Sequence, residues 1–136
     1  MKAFVFVALV ALAPAAMAES RLSVPQNDRW KAECGSCHIA YPPQLLPAQS
    51  WQRLMSGLDR HFGTDASLDA ATAAEIGAFL QKHGGRRADE TLRITETNWF
   101  AREHRKVSAK NAASCESCHT TAAQGDFRER NIRLPR

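Results

Sequence analysis

Two five-residue runs, Cys34-Gly35-Ser36-Cys37-His38 and Cys115-Glu116-Ser117-Cys118-His119, repeat one pattern and use all 4 cysteines of the 136-residue chain. C-x-x-C-H reads as a site of covalent c-type haem attachment. The spacing has a chemical reason. Two thiols separated by two residues on one turn can each add across one haem vinyl group, and the next side chain presents an imidazole to the iron. Two motifs therefore imply two covalently bound haem c groups, attached through Cys34, Cys37, Cys115 and Cys118, with His38 and His119 each taking one axial position. Disulfides or a structural zinc are the rival readings. A zinc site would pair two C-x-x-C motifs at a spacing of about 15 to 20 residues, whereas Cys37 and Cys115 lie far apart and each pair is followed at once by histidine.

The chain opens Met1-Lys2, runs apolar from Ala3 to Ala13 and reaches Ala16-Met17-Ala18 before the charged Glu19. These are the n-region, h-region and A-x-A site of a secretory signal peptide, so residues 1–18 are expected to be cleaved. The apolar stretch is shorter than the roughly 20 residues a bilayer-spanning helix needs, and no later run is long enough. The mature chain is expected to be soluble and periplasmic, which agrees with haem attachment on the outer side of the bacterial inner membrane. The formal charge of +4 is largely offset once haem propionates are counted, and no nucleic-acid motif accompanies it. Phosphate-binding loops and hydrolytic triads are absent.

The periodicity is helical throughout, and the fold class expected is all-α. Trp30, Cys34, Cys37 and His38 repeat as one inward helix face, with Asp28 as its N-cap. The prolines of Tyr41-Pro42-Pro43-Gln44-Leu45-Leu46-Pro47 exclude continuous helix and suggest an extended strap. A second helix follows Ser50, with Trp51, Leu54, Met55, Leu58 and Phe62 on one side, His61 on the same side, and Phe62-Gly63 as its end. Asp65 and Ser67 cap a third helix, in which Ile76, Phe79 and Leu80 face inward and Gly84-Gly85 supply the stop. A short helix from about Thr97 to Val107 carries Trp99, Phe100 and His104, and the tail from Thr120 to Arg136 reads as irregular. The C-terminal part is too small to bury a core of its own. Without haems the polypeptide is expected to show cavities where the porphyrins belong.

Each iron has two axial positions, so two distal ligands remain to be found beyond His38 and His119. The candidates are His61, His83, His104 and Met55, the methionine left after the leader is removed. Met55 sits in an apolar stripe, where methionine usually fills gaps. His83 lies in the last turn before Gly84, where an imidazole can satisfy free carbonyls. His61 precedes a loop and a helix returning toward the attachment helix, and is the better first ligand. His104 shares a face with Phe100 and Val107, although the run Arg102-Glu103-His104-Arg105-Lys106 also reads as solvated surface.

With these residues in hand the chain resembles the bacterial dihaem cytochrome c family. The resemblance rests on Cys34 to His38 followed by Ala40-Tyr41-Pro42-Pro43, Leu45-Leu46-Pro47, Ser50-Trp51, His61-Phe62-Gly63 and Asp65-Ala66-Ser67-Leu68-Asp69. Trp99, His104, Cys115 to His119, Gly125 and Phe127 complete it. It implies a small cytochrome-c-like helical domain (19–85) with the first haem, and a largely irregular C-terminal extension (86–136) with the second. It implies bis-histidine irons, His38 with His61 and His119 with His104, and no ligand role for His83. The implied activity is transfer of single electrons between redox proteins, not catalysis. The implied partners are a small oxygen-binding monohaem cytochrome c or a membrane-bound b-type cytochrome. The competing class is a haem enzyme or ligand-binding haem protein with one open or displaceable distal site, for which His104 is the doubtful ligand. The arginines of the C-terminal part suggest a docking surface, against the default of solvated charge.

Overall fold

The computed structural model describes residues 22–86, 90–108 and 112–134, so the proposed leader lies outside the described residues. Among the described residues there are four α-helices and no strand: α1 (Asp28–Cys34), α2 (Ala48–Met55), α3 (Ala70–His83) and α4 (Asn98–Glu103). Short 3-10 turns join them, and extended pairing is limited to isolated bridges such as Pro47 with Gly85 and His119 with Ile132.

The first three helices converge on one core of Trp30, Leu46, Trp51, Leu54, Ile76, Phe79 and Leu80. The inward stripe of α3 is the expected one: Ile76 is fully buried, a burial that contributes about 1.5–3 kcal/mol for such a side chain. Trp30 of α1 meets Phe79 of α3 with ring centroids 5.3 Å apart, and α2 packs most extensively on α3. Leu92 and Ile94, from the segment before α4, also pack against this core.

Helix ends differ from the spacing-based expectations, and each difference has a local cause. α1 is capped by Asn27, whose side chain accepts from the Trp30 amide, so Asp28 is the first helical residue. It ends at Cys34, which leaves Cys37 and His38 in a turn and not on a helix face. The strap is not fully extended, because Pro43–Leu45 form a 3-10 turn. Pro42 and Pro43 are buried, and the Pro43 carbonyl accepts from Trp51 Nε1 at 2.7 Å.

α2 begins at Ala48, so Ser50 lies inside it and is buried. It stops at Met55, and His61 closes a separate 3-10 turn, Leu58–Arg60. α3 is capped by Asp69, whose carboxylate accepts from the Ala71 and Thr72 amides; Asp65 instead turns the loop through the Ser67 amide. Gly84 and Gly85 do end α3, for want of room. A Cβ on Gly84 would lie 2.7 Å from the Ala48 Cα, and one on Gly85 2.5 Å from the Gln44 carbonyl oxygen.

α4 is shorter than expected and is capped by the Thr97 hydroxyl, which accepts from the Phe100 amide. The tail is more ordered than its composition suggests. Buried Asp126 accepts from Arg128 Nε at 2.7 Å and from Asn131 Nδ2 at 3.0 Å, while the Thr121 hydroxyl donates to the Asp126 carbonyl. This network folds the tail back, so that the Arg133 amide reaches the Cys118 carbonyl at 2.8 Å.

Candidate haem-binding sites

Both attachment motifs adopt tight turns pinned in the same way. The hydroxyl of Ser36 donates to the Glu33 carbonyl at 2.8 Å, and that of Ser117 to the Ser114 carbonyl at 2.7 Å. No disulfide joins the four cysteines, and among the described residues they do not gather with other donors into a single metal-binding group. Burial pushes the Cys34 thiol up to about 11, helped by the charge of Glu33, and burial with Glu116 does the same for Cys115. Protonated thiols are poor metal ligands, which disfavours a zinc site at these positions.

His38 faces His61 with ring centroids 6.3 Å apart and planes inclined by 27°. His119 faces His104 at 6.1 Å and 66°. A metal–imidazole nitrogen bond of about 2.0 Å, with about 1.1 Å from nitrogen to ring centre on each side, spaces two imidazoles across one metal by roughly 6 Å. Both pairs fit that spacing.

One ring of each pair is anchored through Nδ1. His38 Nδ1 lies 2.7 Å from the Ile39 carbonyl oxygen, and His104 Nδ1 lies 3.2 Å from that of Phe100. A carbonyl can only accept, so Nδ1 carries the hydrogen in both rings and Nε2 keeps the lone pair that a metal needs. The other two rings, His61 and His119, have a buried Nδ1 without a hydrogen-bond partner among the described residues. Burial, then the neighbouring charges of His38 and Arg93, holds His61 below the usual imidazole range; burial and His104 do the same for His119. Neutral imidazole is the ligating form.

Aromatic neighbours set the ring orientations. Tyr41 stacks on His38 at 4.6 Å, Phe100 on His104 at 3.9 Å and 8°, and Phe127 tilts against His119 at 5.3 Å. Phe62, beside His61, has a φ of 50° and lies under the guanidinium of Arg93 at 4.0 Å. A half-open pocket of about 530 Å³ lies beside Gly35 and His38 of the first motif, lined also by Trp30, Ile39, Pro42 and Ala122 to Gly125. No attachment cysteine and no residue of the second motif lines it, so it is not the expected pair of porphyrin-shaped cavities.

Two candidate ligands fall elsewhere. His83 rests on Phe79 with centroids 5.0 Å apart, and among the described residues its ring makes no hydrogen bond to the final carbonyls of α3. Met55 packs against the hydrophobic core.

The sequence pattern of the dihaem cytochrome c family matches residues 30–127. The chain belongs to the dihaem cytochrome c family. Like its relatives, this dihaem cytochrome carries two covalently bound haem c groups. It is similar to the crystal structure of DHC purified from Rhodobacter sphaeroides, with 41% identity, a TM-score of 0.70, and coverage of 76% of this chain and 99% of that one. A second structure, a dihaem cytochrome c from the same organism, matches at 39% identity and a TM-score of 0.69, covering 76% and 98% of the two chains. The dihaem cytochrome c sb-DHC of Shewanella baltica OS155 matches at 36% identity and 0.72, covering 82% and 95%. No curated protein sequence matches.

The sequence points to Tyr41 and Phe127 through the proline strap and the family resemblance without a stated contact to an imidazole, and the Asp126 network was not foreseen. Phe100 carried a usable signal, since it stands four positions before His104 and shares its face.

Proposed function

We propose that this dihaem cytochrome is a periplasmic electron carrier whose two irons are each held by two histidines, His38 with His61 and His119 with His104. Cys34 and Cys37 attach the first haem, within 19–85, and Cys115 and Cys118 the second, within 86–136. The observation that carries this reading is the pairing of each attachment-motif imidazole with a second imidazole at about 6 Å. Haem supplies one-electron chemistry at iron.

The side chains do the rest. With His38, His61, His104 and His119 as nitrogen donors, the two bound haems would have no position left for oxygen, nitrite or peroxide, and the protein would exchange only electrons. Nδ1 donation to backbone carbonyls raises the basicity of His38 and His104. Bis-imidazole ligation would also keep both potentials below those of His/Met cytochromes, and Met55 is half-buried against the core of the N-terminal helices.

The partners are other redox proteins. No helix among the described residues is long and apolar enough to cross a membrane. Export rests on the leader pattern of residues 1–18.

Low-temperature EPR of the oxidised protein, with haem quantitation, tests the reading. Two low-spin signals and two haems per chain are expected. A high-spin ferric signal, or fast carbon monoxide binding whose rate rises in proportion to gas concentration, would overturn it in favour of a haem protein with an open distal site.

A further inference from the structure

Tyr41 is the single tyrosine of the chain, and it touches both candidate sites. Its ring stacks on His38 with centroids 4.6 Å apart and planes at 23°. Its hydroxyl donates to the carbonyl of Ala113 at 2.9 Å, a contact across 72 positions of sequence. Ala113 lies two residues before Cys115, the first attachment cysteine of the second motif.

The phenol is half-buried, and its hydroxyl hydrogen is engaged by the Ala113 carbonyl. The backbone beneath it is fixed as well. Pro42 and Pro43 are buried, and Trp51 Nε1 holds the Pro43 carbonyl at 2.7 Å. Tyr41 thus projects from an anchored strap, with one face on the first imidazole and its tip on the segment that begins the second motif.

We propose that Tyr41 is a positioning residue for electron exchange between the two haem sites, fixing the gap between them and the rotation of the His38 ring at once. This rests on the bis-histidine reading for His38 alone. The most extensive helix packing, α2 on α3, lies within the N-terminal unit. The two units also meet where Leu92 and Ile94 pack on the N-terminal core and Gly125 approaches Val24, while the Tyr41 hydrogen bond runs from beside His38 to the segment just before Cys115. The tyrosine is neither oxidised nor deprotonated in this role; an electron lost by one iron is gained by the other.

The test compares wild type, Tyr41→Phe and Tyr41→Leu as holoproteins with two haems per chain. Inter-haem exchange is measured in half-reduced protein by NMR line broadening or after photochemical injection of one electron, and ring orientation is read from the low-spin EPR g-values. Tyr41→Phe removes the bond that fixes the gap and is expected to slow exchange by more than about twofold, up to the roughly fivefold that one net hydrogen bond is worth. Its g-values should stay at those of wild type. Tyr41→Leu is expected to slow exchange further and to move the g-values of the His38 haem, because the stacked ring is gone. Exchange within about twofold of wild type in the Phe variant, with both haems attached, overturns the proposal, since the bond to Ala113 would then set no gap. The Phe variant decides the matter by itself if the Leu variant assembles fewer than two haems. Failure of the bis-histidine reading is visible separately, as high-spin iron in the wild type.

Discussion

The imidazoles that face the attachment-motif histidines are held by different means. His104 is gripped twice by one residue, since Phe100 stacks on its ring and accepts from its Nδ1 through the backbone carbonyl. His61 follows a 3-10 turn and precedes Phe62, whose left-handed backbone is unusual for a side chain of that size. The Arg93 guanidinium over the Phe62 ring helps to hold that turn. Replacing Phe100 with leucine keeps most of the buried volume but removes the stack. An aromatic pair of this kind contributes about 0.5–1.5 kcal/mol, so Phe100→Leu should lower the thermal midpoint modestly. It should also shift the EPR signal of the haem bound at His119 while leaving the other signal unchanged. A shift in both signals would show that the stack does not act on His104 alone.

At the scale of elements, helix starts and stops place the histidines, and two of them yield measurable consequences. The Thr72 hydroxyl and amide, with the Ala71 amide, hold the Asp69 carboxyl below its usual value. A depressed folded-state pKa contributes stability that is present above the unfolded value and is lost as pH falls through the folded one. The wild type should therefore lose thermal stability relative to Asp69→Asn as pH is lowered from about 5 to about 3. Parallel pH profiles for the two proteins would rule out this coupling.

Gly84 supplies the second consequence, because its Cα passes the backbone of Ala48 with no room for a methyl group. Gly84→Ala forces α2 and α3 apart and is expected to cost about 1–3 kcal/mol, as overpacking does. Denaturant unfolding of the holoprotein measures this, with haem content as the check that both groups remain attached.

Across the whole molecule, apolar burial is lopsided. The contiguous core belongs to the N-terminal helices, whereas the described C-terminal residues bury only Phe100 and Ala122 among their hydrophobic side chains. The C-terminal part compensates with the Asp126 network and with contacts back to the first unit. One of these is at Gly125, whose φ of 72° and closeness to Val24 exclude a side chain. A double variant, Cys115→Ala with Cys118→Ala, should yield a protein with one haem by mass spectrometry and haem quantitation, retaining the low-spin signal of the His38 site. Loss of both haems would show instead that the N-terminal unit depends on the second site to assemble.

The number and kind of cofactor, the attachment residues and the all-helical class are legible in the chain because covalent haem chemistry and helical periodicity are local. Five consecutive residues state the first, and the spacing of Ile76, Phe79 and Leu80 states the second. The helix ends were less legible, since caps such as Asn27 and Asp69 compete with equally suitable neighbours and the packing of whole helices chooses between them. Order along the chain and the family resemblance pointed to the facing imidazole pairs, but nothing in the spacing could bring Tyr41 to Ala113 or fold the tail onto Cys118. These depend on contacts between residues distant in sequence, whose free energy exists only once the core has closed.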